Sequence, residues 1–149
     1  MTTGTAGRAG TGYYTPGQVA QATGFSLDTL RYYERIGLLN PVERNAAGRR
    51  RFTDEDLGWL NWIRCLRDTG MPIAEMLRFA ELTREGDHTI PDRIALLEAH
   101  DRNVEAMIAD LREKQEAIKR KIAHYRDLLD LAEATADDAA AEADPAPQA

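Results

Sequence analysis

Apolar residues recur at helical spacing along most of the chain, and helix-start signals divide them into separate helices. Thr15 and Gln18 form a capping-box pattern, with Pro16 at the first helical position. Ser26 is a second capping residue, and glycines follow both apolar stretches. The pattern predicts two short helices, over 16–23 and 27–36, separated by about three residues, which is typical of a helix-turn-helix.

A loop rich in turn residues follows the second predicted helix. Pro41 prevents the helix from continuing, and residues 45–48 have turn chemistry. We expect the flanking runs to pair as a hairpin whose far strand is 49–52, forming a wing beside the helix-turn-helix. Thr53 then caps a third helix, and a fourth follows Pro72.

The fifth predicted helix is the longest, from about Thr89 to about Ala132, and its apolar residues follow a heptad. Nine of the eleven seam positions are apolar, the exceptions being Asp101 and Gln115. Four short helices cannot bury such a seam, so we expect it to pair with a second copy of the chain. Folding back as a hairpin is the alternative, but no Gly or Pro interrupts residues 92–136. The apolar seam consists of Ile94, Leu97, Val104, Ile108, Leu111, Ile118, Ile122, Tyr125 and Leu129.

The predicted architecture is mainly α: a winged helix-turn-helix DNA-binding domain followed by a long C-terminal coiled-coil dimerisation helix. We place the winged domain at 13–86 and the dimerisation helix at 87–132. Residues 1–12 are expected to be a disordered N-terminal tail. Residues 133–149 are acidic, contain no large apolar residue and are expected to be disordered or frayed.

Charge is distributed unevenly along the 149 residues, whose net charge is −6. Residues 13–52 contain six arginines and only three acidic residues. A local basic surface on an acidic chain favours an anionic partner, most often a nucleic acid, over an ordinary solvated surface. A single cysteine, Cys65, excludes an intrachain disulfide and fits a reducing cytoplasm. No apolar run is long enough to cross a membrane, and nothing resembles a signal peptide.

The stretch RYYERIGLL, residues 31–39, concentrates side chains suited to DNA on the second helix of the predicted motif, the helix that enters the major groove. Leu27 and Leu30 are expected to pack on the first helix. Core packing is an equal alternative for Tyr33, and chance arginines on an amphipathic helix are the alternative for the whole face. The predicted DNA-binding residues are Thr29, Arg31, Tyr32, Tyr33 and Arg35 on the helix and Arg49, Arg50 and Arg51 on the wing.

These motifs together resemble the MerR family of bacterial transcription regulators. The resemblance rests on TLRYYE, the GLL turn, the arginine-rich wing and FTDEDL, and it covers about residues 13–130. It implies a cytoplasmic, nucleoid-associated dimer that binds a pseudo-palindrome between promoter elements and bends and untwists it for RNA polymerase. By match to the motif, Arg31, Tyr32 and Arg50 are the strongest DNA-contact candidates. The family usually has an aromatic residue at the position of Arg49.

The sequence is less informative about an effector. No cofactor or metal is expected, because His88, His100 and His124 lack ligand spacing and no cysteine follows Cys65. A lone cysteine on a helix is most often a small buried hydrophobic residue. However, the stretch around Cys65 resembles the thiol-based, aldehyde- or nitrosative-stress-responsive branch of the family (the AdhR/NmlR type), which implies a sensor of electrophiles at this position. Packing and sensing therefore both remain open.

Two alternative functions also remain open at the sequence level. One is a regulator of the same family that responds to a non-covalent small ligand held between the fourth helix and the long helix. The other is a coiled-coil interaction protein whose basic head binds a protein or RNA. An enzyme is not expected, because the sequence contains no nucleophile–base constellation, phosphate loop or metal cluster.

Overall fold

A computed structural model describes residues 12–143 of the chain, and these are mainly α-helical. The first half contains β1 (Tyr13–Tyr14), α1 (Pro16–Thr23), α2 (Leu27–Ile36), β2 (Glu43–Arg44) and β3 (Arg50–Thr53). It is followed by α3 (Asp54–Asp68), α4 (Ile73–Glu85), a single 3-10 turn (Asp87–Thr89) and α5 (Ile90–Ala143). The predicted mainly α fold, with a helix-turn-helix, a wing and a long final helix, is confirmed. The chain divides into two compact units, which we call the head (Met1–Val104) and the arm (Glu105–Ala149).

The predicted capping signals begin three of the head's helices. The Thr15 hydroxyl accepts a hydrogen bond from the Gln18 N–H at 3.1 Å, and the Gln18 side chain accepts one from the Thr15 N–H at 2.9 Å. Thr53 and Asp56 form the same reciprocal pair at the start of α3. The Ser26 hydroxyl accepts from the Thr29 N–H at 3.1 Å. Because these bonds satisfy backbone groups that no helix can satisfy itself, α1 and α2 have the bounds that the sequence predicts.

The wing is part of a three-stranded antiparallel sheet with the strand order β1-β3-β2. Tyr14 lies opposite Phe52, and Arg44 lies opposite Arg50. Strand β1 was not predicted, because two residues carry no alternation that a sequence pattern could show. The far strand begins at Arg50 rather than Arg49, since the Arg49 N–H donates to the Asn45 side chain within the turn.

The hydrophobic core of the head lies where α1, α2, the loop after α2, β3, α3 and α4 meet. It includes the buried side chains of Val19, Phe25, Leu30, Leu38, Leu39, Phe52, Leu60, Ile63, Leu66, Met76 and Ala80. The indole N–H of Trp59 donates to the Leu38 carbonyl at 2.8 Å and fixes α3 against this loop. Leu96 and Leu97 in the first turns of α5 are partly buried against the same core. Leu97, predicted as a dimerisation residue, therefore packs within its own head.

Leu27, which the sequence predicted to pack on α1, is 40% exposed. Leu30 and Tyr33 fill the core from α2 instead, at 3% and 5% exposed. At about 100° per residue, Leu27 lies about 60° from Leu30 and about 120° from Tyr33, which places it at the edge of the buried face. Of the two leucines predicted to face inward, Leu27 and Leu30, only Leu30 is buried.

The arm consists of the later part of α5, whose apolar residues are exposed. Six predicted seam residues after Val104 lie on this exposed stripe: Ile108, Leu111, Ile118, Ile122, Tyr125 and Leu129. No helix in the described part of the chain is long and apolar enough to cross a membrane. The apolar side chains of the arm are therefore not buried within the single chain.

Helix α5 continues to Ala143, beyond the end expected near Ala132. Residues 133–143, expected to be a disordered or frayed acidic tail, are helical because six of the eleven are alanine, the residue with the highest helix propensity. The rest of that predicted tail, 144–149, and most of the predicted N-terminal tail, 1–11, lie outside the described residues.

Substitution of Leu60 by alanine tests the placement of the core. Leu60 is fully buried, so Leu60→Ala is expected to lower the free energy of unfolding by about 2–5 kcal/mol through the cavity that it leaves. The same truncation at exposed Leu27 is the matched control and is expected to cost less than about 0.5 kcal/mol. Urea denaturation followed by circular dichroism measures both. Equal losses for the two variants would contradict the described orientation of α2.

Candidate nucleic-acid interface

The exposed face of α2 contains Asp28, Arg31, Tyr32 and Arg35. One Nη atom of Arg31 lies 2.8 Å from a carboxylate oxygen of Asp28, one turn earlier. The guanidinium of Arg35 lies over the Tyr32 ring, 5.2 Å from its centroid. Three of the five predicted helix residues, Arg31, Tyr32 and Arg35, thus share one surface on which cationic groups and a phenol hydroxyl are available to a polyanion.

The other two predicted helix residues lie elsewhere. Thr29 is half-buried, and its hydroxyl accepts a hydrogen bond from the Ser26 hydroxyl at 2.9 Å. Tyr33 is buried and its ring meets Phe25 edge-to-face, with ring centroids 5.3 Å apart. Tyr33 therefore packs in the core, the alternative to the predicted DNA contact, because it lies on the face of α2 that meets the core.

The wing arginines have three different environments. Arg49 is exposed at the turn. Arg51 pairs with Glu43 at 3.0 Å, and its guanidinium lies 4.0 Å from the centroid of the Tyr13 ring. Arg50 makes its ion pair with α2 instead. Neighbouring strand residues thus have different partners, as strand alternation predicts.

Glu34 connects α2 to the wing, and the sequence analysis did not identify it. One carboxylate oxygen accepts a hydrogen bond from Arg50 Nε at 2.8 Å, and the other accepts one from the Val42 N–H at 2.9 Å. The two side chains are only 18% (Glu34) and 24% (Arg50) exposed. The one sequence signal for this contact was the presence of an acidic residue within the arginine-containing run RYYER. Arg50, predicted as a DNA contact, therefore also holds the wing against α2.

The pKa of Glu34 lies below its ordinary value of 4.5. Burial by itself would raise this pKa, but the Val42 N–H and the Arg50 guanidinium favour the carboxylate, and Arg44 adds to them. The opposing contributions leave Glu34 ionised at neutral pH, so the connection between α2 and the wing is a charged one.

Cys65 is exposed on α3 of the single chain, so it is not packed in the core of its own head. Its neighbours connect α3 to other helices of the head. Arg64 donates to the Thr23 carbonyl at the end of α1 at 2.7 Å. The Thr69 hydroxyl donates to the Cys65 carbonyl at 2.8 Å and lies 2.8 Å from Nε2 of buried His100 in α5. The described residues 12–143 contain no cluster of three or more side chains that could hold a metal ion.

Family comparisons agree with this geometry. A model described as "MerR HTH family regulatory protein" matches residues 14–81, and one described as "MerR, DNA binding" matches residues 57–121. An HTH-type transcriptional regulator of Haemophilus influenzae is 43% identical over 113 residues, covering 76% of this chain and 84% of the relative. The chain belongs to the MerR family. It is a DNA-binding transcriptional regulator of the MerR type and not an enzyme.

Further MerR-type relatives include the transcriptional regulator AdhR of Bacillus subtilis, 41% identical over 80 residues, or 54% of this chain and 57% of AdhR. Among solved structures, HiNmlR, "a MerR family regulator lacking the sensor domain, bound to promoter DNA", has a TM-score of 0.72 and 42% identity over 80% of this chain and 95% of that chain. A MerR family regulator from Listeria monocytogenes has a TM-score of 0.79 and 34% identity, covering 88% and 99%.

Membership of the MerR family removes one of the alternatives that the sequence left open. A coiled-coil protein whose basic head binds protein or RNA does not account for matches to helix-turn-helix regulators across the whole head. The head residues on α2 and the wing are therefore candidates for contact with double-stranded DNA.

Replacement of Glu34 by glutamine tests the charged connection. A lowered pKa in the fold means that ionised Glu34 stabilises the head above pH 4.5, and that this stabilisation is lost as the pH falls through the lowered value. We expect Glu34→Gln to be less stable than the wild type by about 1–2 kcal/mol at neutral pH. The gap should narrow as the pH falls below 4.5.

The control for this prediction is Glu43→Gln, which breaks the exposed pair with Arg51 and is expected to cost close to zero. Urea denaturation over a pH series provides both values. A stability gap for Glu34→Gln that stays constant with pH would show that the charge of Glu34 is not responsible.

Proposed function

We propose that the protein is a homodimeric regulator whose two heads bind two-fold related half-sites in promoter DNA. The observation that carries the proposal is the exposed α2 face with Arg31, Tyr32 and Arg35, adjoining a wing that Glu34 holds in place. In helix-turn-helix proteins the second helix lies in the major groove, and this face is the one that α2 leaves free of core contacts. The similar protein HiNmlR is described as bound to promoter DNA, which supports the same assignment.

The arm supports the dimer. Its stripe of Ile108, Leu111, Ile118, Ile122, Tyr125 and Leu129 is exposed in the single chain and repeats with a heptad spacing. Burying such residues stabilises an assembly by roughly 25 cal/mol per Å² of apolar surface. A second copy of the same helix provides a matching apolar stripe, so the arm is suited to an interface between two copies.

A dimer with two rigidly built heads can also deform DNA. Bending a DNA site of about 20–30 base pairs by about 40–90° costs on the order of 1–6 kcal/mol. Phosphate contacts made by several arginines can supply a free energy of this size. We propose that the dimer bends and untwists the DNA between promoter elements and thereby realigns those elements for RNA polymerase. The spacing of the heads, set by the dimer, would then determine how strongly the promoter is distorted.

For the effector, we propose a reactive electrophile, such as an aldehyde, that modifies Cys65. The thiol is exposed. Beside it, Arg64 donates to the carbonyl at the end of α1, and Thr69 contacts His100 in α5. A covalent change at this position therefore lies next to contacts that fix the helix-turn-helix. The similarity to the transcriptional regulator AdhR agrees with the resemblance that the sequence around Cys65 shows to the AdhR/NmlR-type branch. A non-covalent small ligand remains the second candidate.

A charge placed in the arm stripe tests the dimer. Ile118→Asp is expected to convert the protein to a monomer and to weaken binding to duplexes with two half-sites at least tenfold, because the second head no longer binds in the same event. Arg120→Asp, on the same turn but outside the predicted seam, is the matched control and should stay dimeric. Sedimentation velocity and footprinting on the region upstream of the gene measure these outcomes. A monomeric wild type at micromolar concentration would refute the proposal.

Replacement of Cys65 by serine tests the effector. An α,β-unsaturated aldehyde is a suitable probe, because the thiolate adds to its β-carbon, a proton is taken up at the α-carbon, and the product survives mass measurement. We expect one adduct on the wild type and none on Cys65→Ser, with the transcriptional response lost and DNA affinity unchanged in the variant. A response that persists in Cys65→Ser without any mass change would favour the non-covalent ligand.

A further inference from the structure

An acidic side chain, Asp28, lies on the proposed DNA-binding face in the first turn of α2. The Asp28 side chain is 94% exposed, and its carboxylate contacts Arg31 at 2.8 Å. An acid in the first turn of a helix is stabilised by the helix dipole. That effect accounts for an acid in the first turn, but it does not explain why the acid pairs with an arginine that faces a polyanion.

The two ends of α2 differ in the part of the DNA that each is expected to contact. In helix-turn-helix proteins the N-terminal residues of the second helix contact base edges. Asp28 and Arg31 lie in this part of α2, whereas Arg35 lies in the last turn and stacks on Tyr32. An unrestrained Arg31 would bind any phosphate, which provides affinity without sequence information. A carboxylate beside it opposes that contact and restricts the guanidinium to one direction.

We propose that Asp28 is a positioning residue that turns Arg31 toward a base edge, so that the pair determines the sequence preference of α2. This inference rests on the proposed DNA-binding function. Arginine recognises the O6 and N7 atoms of guanine through two parallel N–H groups, and one contact to Asp28 leaves enough of its five N–H donors for that recognition. The exposed pair contributes little in the free protein, but its attraction strengthens when the groove excludes water.

A second acid on the same basic surface provides a matched control. Glu43 pairs with Arg51 on the wing at 3.0 Å, and this pair is likewise exposed. Removing the charge of either acid makes the head more positive by the same amount. If net charge alone mattered, Asp28→Asn and Glu43→Gln would change DNA binding in the same way.

The experiment compares two duplexes: one selected by the wild-type protein from a random-sequence library, and a scrambled duplex of the same composition. Fluorescence anisotropy at a fixed salt concentration gives the dissociation constant of each duplex. The discrimination ratio is the dissociation constant of the scrambled duplex divided by that of the selected duplex. We expect Asp28→Asn to lower this ratio about five- to a hundredfold by weakening the selected duplex, while the scrambled duplex binds as well or better. Glu43→Gln should shift both duplexes by the same factor and leave the ratio unchanged. Partial unfolding of a variant cancels in the ratio, since it weakens both duplexes equally.

Arg31→Lys provides the complementary measurement, because it keeps the charge and removes the planar fork of N–H groups. We expect it to lower the ratio as Asp28→Asn does, and the double variant to lose little more than either single one. An unchanged ratio in Asp28→Asn, or equal effects of Asp28→Asn and Glu43→Gln, would overturn the inference while leaving the DNA-binding proposal intact. A wild type that does not discriminate between the duplexes would instead refute the proposed function on which the inference rests.

Discussion

The DNA-facing part of the head depends on one carboxylate, that of Glu34. Its two oxygens accept hydrogen bonds from Arg50 on the wing and from the backbone of Val42 in the intervening loop. Packing of apolar side chains in the core is non-directional, whereas this contact joins α2 to β3 through defined atoms. Because a bond between charged groups has a preferred geometry, this contact fixes the angle between α2 and β3, the two elements that form the proposed DNA-binding surface.

The remaining arginines of the head divide into those that hold the fold and those that face outward. Arg64 caps the end of α1, and Arg84 donates to the Asn40 side chain and to the Gly37 carbonyl at the end of α2. Arg31 and Arg35 are exposed and interact only with their own helix among the described residues. A count of arginines therefore overstates the number available to DNA. The basic surface therefore contains fewer arginines than the sequence implies, because others are bound within the fold.

Much of the fold was predictable because its signals are local. Thr15, Ser26 and Thr53 fix helix starts through bonds that span three residues, and such bonds depend little on the rest of the chain. The contact between Glu34 and Arg50 spans sixteen residues and appears only once the chain is folded. Leu27 shows the same limit, since its exposure depends on which face of α2 meets the core. The helix beyond residue 132 was missed because the absence of large apolar residues was taken to indicate disorder, although alanine favours a helix without tertiary contacts.

Both tryptophans of the chain, Trp59 and Trp62, lie on α3 and contact the Phe79 ring of α4, with centroids 6.0 and 5.9 Å away. Their intrinsic fluorescence therefore originates entirely from the boundary between these two helices. Cys65 lies on α3 as well, one turn after Trp62. The molecule thus contains its own optical reporter beside the thiol, and a change of emission on exposure to an electrophile would register movement in α3 without any attached dye.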